Sequence, residues 1–132
     1  MKLSVLLVAL IGLVLAALAV QVSLAKARHD PVEYYMGWRG YRHPITPEHR
    51  ITKEEADALT AKGAAYLIGH FDGDGKLTGV VKLYRGKFFF EYLYAYHPNG
   101  RLQRARITRA GQVKVLEYDA RGHEVADAGT AF

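Results

Sequence analysis

The chain has 132 residues, no cysteine and a formal net charge of +5. That length admits one domain and a leader. The missing cysteine excludes disulfides, thiolate metal sites, a cysteine nucleophile and a lipoprotein anchor, and leaves the fold to rest on packing alone.

Residues 1–25 differ in composition from the rest. Met1-Lys2 precedes an apolar block from Leu3 to Val20, and Ser23-Leu24-Ala25 closes it. A basic start, an apolar stretch and a small-x-small ending describe a secretory signal peptide. Cleavage after Ala25 leaves about 107 residues, enough to bury roughly two thirds of the unfolded surface. The rival reading is an uncleaved anchor helix through residues 3–20, since a run of about 18 apolar residues is long enough to span a bilayer. Lys2 on one side and Lys26 with Arg28 on the other give no clear orientation. The small residues at the candidate cleavage site favour export. The expected location is therefore periplasmic or secreted if cleaved, and inner-membrane anchored otherwise.

Residues 26–33 read as a linker, residues 34–127 as the domain and 128–132 as a tail. Glu33–Tyr41 is an aromatic strand weakened by Gly37 and Gly40, placed at the sheet edge. Pro44 and Pro47 then impose an irregular extended passage. Thr52 with Glu55 forms a capping box that opens a helix of about ten residues. Ala56 and Leu59 lie on one face at i, i+3 spacing, and Gly63 stops it.

From Ala64 onward, turns organise the chain. Asp72-Gly73-Asp74-Gly75, His97-Pro98-Asn99-Gly100 and Asp119-Ala120-Arg121-Gly122 each carry an acceptor first and glycine fourth. This is the chemistry of a hairpin closed by a turn and a left-handed glycine. Arg85-Gly86 and Ala110-Gly111 supply tighter turns between them. Strands follow at 64–71, 76–84, 87–96, 101–109, 112–118 and, briefly, 123–126. Alternation along the third places Phe88, Phe90, Tyr92, Tyr94 and Tyr96 on one face, with Phe89, Leu93 and Ala95 on the other. The fold class predicted is α+β: an antiparallel β-meander of about six strands with one short helix, preceded by the N-terminal signal or anchor helix.

The aromatic-Asp/His-x-x-Gly turns resemble the second type of MORN repeat and, more loosely, YD-type repeats; Tyr96-His97-Pro98-Asn99-Gly100-Arg101-Leu102 is the best copy. A longer stretch is similar to a family of small bacterial domains of unknown function. It runs through Gly40-Tyr41-Arg42-His43-Pro44-Ile45, then Phe71-Asp72 to Gly75-Lys76-Leu77-Thr78-Gly79, then Tyr96-His97-Pro98-Asn99-Gly100, covering about residues 34–107. The resemblance implies an α+β domain and no particular activity.

Chemistry-bearing patterns are weak. Asp72-Gly73-Asp74-Gly75 starts like a calcium loop, but Lys76 and Leu83 occupy positions that need oxygen ligands. His29, His43, His49, His70, His97 and His123 show no His-x-His or His-x-x-x-His spacing. Beyond Ser23 there is no serine, which excludes a serine nucleophile. Glu91 on the apolar strand is read as a partner for Lys82 or Arg104 rather than as a catalytic acid. Arg101, Arg104, Arg106 and Arg109 form the nearest thing to a basic cluster, read as a solvated edge strand rather than as a face for phosphate, lipopolysaccharide or anionic lipid. No catalytic set, metal site or cofactor is implied, and no nucleic-acid motif is present.

The best candidate site is an aromatic binding face of Tyr92, Tyr94, Tyr96 and Trp38, since tyrosine joins apolar area to a polar tip. The competing reading is that the N-terminal segment or the helix covers these rings as core. The expectation is a non-enzymatic binding module that takes an unknown protein or envelope component on its sheet face. Two alternatives are a small periplasmic enzyme or metal-binding protein using His and Glu, and an antitoxin or immunity-type interaction protein.

Overall fold

The computed structural model describes residues 32–131, with side chains through Val125. The predicted leader and most of the predicted linker lie outside the described residues. Eight strands form one antiparallel sheet in the order β2-β1-β3-β4-β5-β6-β7-β8. They are β1 Val32–Arg39, β2 Thr46–Ile51, β3 Ala65–Phe71, β4 Leu77–Tyr84, β5 Lys87–Tyr96, β6 Leu102–Arg109, β7 Gln112–Tyr118 and β8 Glu124–Ala131. The single helix of the described residues, α1, spans Lys53–Ala61.

This corrects the predicted fold class. The chain is mostly β, with eight strands rather than about six, and no anchor helix is seen among the described residues. The missing strand is β2. The prolines were read as irregular, yet Pro47 lies opposite Trp38 in the pairing with β1. β2 is the outermost strand, where a missing N–H costs no ladder bond. β1 consequently sits one place in from the edge. β8 is longer than expected, running through residues read as a tail.

The helix follows its sequence signals. Glu55 N–H donates to the Thr52 hydroxyl at 3.1 Å, and Thr52 N–H donates to the Glu55 carboxylate at 2.7 Å. Ala56 is its one fully buried residue, and the Thr60 hydroxyl meets the Tyr66 hydroxyl at 3.4 Å. A helix this short depends on such docking for stability. It covers only the β1–β3 part of one sheet face.

The opposite face holds the core: Leu67, Leu77, Val80, Phe90, Tyr94, Leu102 and Ala105, joined by Ile45 from outside the sheet. Three bulges decide which side chains reach it; the first, between His70 and Phe71, moves the pairing from Gly79 to Leu77, leaves Thr78 extra and brings Leu77 to the core. Between Lys82 and Leu83 the pairing jumps from Phe90 to Phe88, which leaves Phe89 as the extra residue. Between Ala95 and Tyr96 it jumps from Arg104 to Leu102, which leaves Gln103 extra. A bulge breaks the two-residue alternation and re-aims side chains. Phe88 therefore leaves the face assigned by simple alternation. Phe89 joins Phe90 on the side of Lys82, whose ammonium lies 5.0 Å from the Phe89 ring centre.

Phe90 is fully buried, whereas Phe88 is 53 % exposed. Phe90→Ala is expected to cost about 3–5 kcal/mol, the range for deleting a core aromatic, and Phe88→Ala about 0.5 kcal/mol, as at ordinary surface positions. Urea denaturation midpoints of the two variants check this; equal losses would contradict the bulge.

Candidate functional site

Part of the core face, around Tyr92 and Tyr94, is roofed by a strap, residues 40–45, that follows β1. Gly40 has φ 90°, a conformation open to glycine at little cost, and there the chain turns out of β1. The strap continues through a cis His43–Pro44 peptide to Ile45, which is buried. Its anchor is Tyr94. Ile45 N–H donates to the Tyr94 hydroxyl at 3.2 Å, and His43 Nδ1 lies 2.8 Å from the same oxygen. A neutral imidazole with its hydrogen on Nε2 accepts the Tyr94 proton at Nδ1 while the phenol oxygen accepts from Ile45 N–H. Burial lowers the His43 pKa from 6.5, which keeps the ring neutral and able to accept. Burial also raises the Tyr94 phenol well above its usual 10, so it stays protonated to donate.

Aromatic contacts extend the anchor. The His43 ring meets Tyr92 edge-on at 4.9 Å, and Tyr92 stacks on Phe90 at 4.3 Å with ring planes 11° apart. Trp38, at the end of β1, closes over Phe90 edge-on at 5.6 Å. Such pairs each add about 0.5–1.5 kcal/mol beyond their buried area.

At one end of the sheet the three glycine-closed turns form as the sequence implies. Asp72 and Asp119 accept from backbone N–H groups within their own turns. The Asp72 carboxylate is thus committed to a hairpin. Two turns are also bonded to each other. His97 Nε2 donates to the Tyr118 carbonyl at 2.8 Å, Asn99 donates to the Ala120 carbonyl at 2.8 Å, and the Arg101 guanidinium donates to the Arg121 carbonyl.

Between the strap and these joined turns the core face lies open as a cleft of about 710 Å³. Tyr96, Leu102, Leu116 and Tyr118 form its floor, Tyr41–Pro44 one wall, and Gly100, Arg101 and Gly122 the other. Its cations are Arg42 and Arg101, against the single carboxylate of Glu124. The Tyr96 hydroxyl donates to the Leu77 carbonyl at 2.5 Å, and burial, with Asp72 nearby, pushes its pKa up to about 12. The floor therefore offers neutral ring and aliphatic surface, with charge at the rim. This volume falls within the 300–1,000 Å³ of ordinary ligand sites.

The four residues singled out from sequence do gather on one face but play different parts. Tyr94 is 6 % exposed and holds the strap; Tyr92 is half-buried beneath His43. Tyr96 reaches the cleft, and Trp38, 38 % exposed, lies over Phe90, outside the cleft lining. Tyr41, Arg42, Leu116 and Tyr118 were missed. Tyr41 and Arg42 had a signal in the Gly40–Ile45 motif and Tyr118 as the aromatic preceding a turn, whereas Leu116 had none. Glu91 pairs in register with Val81 and Thr108, and Arg104 forms its ion pair with Glu117 instead. Among the described residues, no three His, Asp or Glu side chains converge as a metal site.

The unfolded chain binds a proton at His43 more readily than the fold does. Stability is thus full above about pH 6.5 and is lost as pH falls below it, because the buried site penalises the charged imidazolium. The urea midpoint should drop between about pH 7.5 and 5.5. It should drop less in His43→Asn, whose side-chain oxygen replaces Nδ1 as acceptor without titrating. An equal drop in both proteins would rule out buried His43 as the titrating group.

A family model described as a family of unknown function (DUF6156) matches residues 27–127, most of the chain. No curated protein and no solved structure matches. The chain belongs to this family of unknown function.

Proposed function

We propose that the protein is an exported, non-enzymatic binding module that takes an envelope component on the aromatic face of its sheet. The observation that carries this reading is the cleft. It is built by segments far apart in sequence, floored by Tyr96, Leu102, Leu116 and Tyr118, and rimmed by Arg42 and Arg101. Ring faces and aliphatic area beneath a cationic rim suit a ligand with an apolar or sugar-like body and a negative group. The strap and the turns are both hydrogen-bonded in place, so the cleft is formed before a ligand arrives, which lowers the ordering cost of binding. Export is supported by the apolar block and the Ser23-Leu24-Ala25 ending.

The test joins location to binding. Protein recovered from fractionated cells is expected to have the mass left by cleavage after Ala25. Glycan, lipid and protein fractions of the envelope are then titrated into isotope-labelled protein. One fraction should shift the resonances of Tyr96, Leu102, Leu116 and Tyr118. Tyr118→Ala should weaken that response about tenfold or more, the scale of one aromatic anchor in a site. If no fraction moves the cleft resonances, or the variant responds like the parent, the reading fails.

A further inference from the structure

The cleft occupies the end of the sheet where the β3–β4, β5–β6 and β7–β8 turns lie. The opposite end, with the β4–β5 and β6–β7 turns, has a different surface. Tyr84, Phe88 and Phe89 are exposed there, Phe88 at 53 % and Phe89 at 40 %. Phe88, Phe89, Arg109, Ala110 and Gly111 share one shallow depression. Cations are threaded among these rings. Lys82 Nζ lies 5.0 Å from both the Trp38 and the Phe89 ring centres, Arg109 caps Phe89 at 5.5 Å, and Arg85 caps Tyr84 at 5.3 Å. Lys87, opposite Tyr84 in the pairing, adds a further exposed cation. None of Lys82, Arg85, Lys87 and Arg109 pairs with a carboxylate among the described residues. Neither residues 82–90 nor residues 105–114 contain an acidic side chain.

This basic tip is not the arginine run that the sequence displays. β6 lies inside the sheet, so the reading of that run as an edge strand does not hold. Its members are dispersed: Arg101 is bonded to a turn, Arg104 to Glu117, and only Arg109 reaches the tip. The tip cluster is assembled by the fold from β4, β5, β6 and one turn.

We propose that this tip docks on an anionic lipid surface, with Phe88 and Phe89 entering the interface and Lys82, Arg85, Lys87 and Arg109 meeting lipid phosphates. Aromatic rings beside Arg and Lys are the composition that partitions to the headgroup boundary, where one end of each group is apolar and the other charged. The geometry also disfavours other occupants. Lys82 and Arg109 sit over the rings of Trp38 and Phe89, so ring faces needed for stacking nucleic-acid bases are taken. A second copy of the same tip would bring like charges together. The inference is independent of the cleft, whose lining shares no residue with the tip.

Trp38 is the only tryptophan and touches Lys82 at the tip's margin, so its fluorescence reports this surface locally and not the leader. The chain, as recovered from cells, is titrated with phosphatidylglycerol-containing vesicles and with pure phosphatidylcholine vesicles. The anionic vesicles are expected to shift Trp38 emission to the blue, and brominated acyl chains to quench it, with both effects fading at high salt. Each cation near such a surface adds about fivefold to partitioning, so Arg85→Gln with Lys87→Gln should raise the half-maximal lipid concentration about 30-fold. Lys53→Gln with Arg121→Gln removes the same charge elsewhere and should change it by less than about threefold. The proposal is overturned if wild type gives no shift, if zwitterionic vesicles act equally, or if both double variants weaken alike. It is equally overturned if an oligonucleotide moves Trp38 emission where anionic vesicles do not, or if sedimentation shows a dimer that buries Trp38.

Discussion

The hydroxyl of Tyr94 is the point on which the exposed half of this molecule depends. Among the described residues, an eight-stranded sheet with one nine-residue helix has far more apolar surface than that helix can cover. The remainder must be wet, charged or roofed by chain that carries no regular structure. Backbone in such a roof needs partners for its own polar groups. Tyr94 supplies one by accepting from Ile45 N–H, and the same hydroxyl is hydrogen-bonded to His43 Nδ1. One phenol at the centre of the face thereby fixes the strap at His43 and Ile45, and Ile45 completes the core beneath it.

The cleft and the tip are both consequences of where that roof stops. The strap covers Tyr92 and Tyr94, Trp38 covers Phe90, and Tyr96, Leu102, Leu116 and Tyr118 are left open beyond the strap's edge. Joined turns hold the far wall, so the opening persists rather than collapsing. At the other end the bulge at Phe89 turns one extra ring toward Lys82, and cation–π contacts hold Lys82 and Arg109 beside apolar surface. The other sheet face, beyond the helix, carries Leu93, Arg106 and the Arg104–Glu117 pair in solvent, as antiparallel sheets allow.

Strands and turns were legible because their signals are local. Asp72, His97 and Asp119 with a fourth-position glycine fall where hairpins close, and β3 to β7 lie within a residue or so of their expected bounds. The capping box of Thr52 and Glu55 placed the helix for the same reason. What depends on pairing was not legible. Pro47 is tolerated only because β2 has no neighbour on its outer side, and nothing near Pro47 in the chain says so. The bulges at Phe89 and Gln103 shift side chains between faces through register with the next strand. The aromatic stripe was visible as a stripe, yet its division into Tyr94 as anchor, Tyr92 as covered ring and Tyr96 as cleft floor required the strap. The strap's own motif, Gly40-Tyr41-Arg42-His43-Pro44-Ile45, stood out without disclosing what it would cover.

The cleft exists only if the strap lies where Tyr94 places it. The most direct measurement is a nuclear Overhauser spectrum of the protein, with amide exchange of Ile45 followed in the same sample. Cross-peaks from the Tyr94 and Tyr92 rings to His43 and Ile45, and an Ile45 amide protected as strongly as those of β4 and β5, are the predicted result. An Ile45 amide that exchanges at the rate of the exposed turns, with no contact between His43 and Tyr94, would contradict it and remove the wall on which the cleft depends.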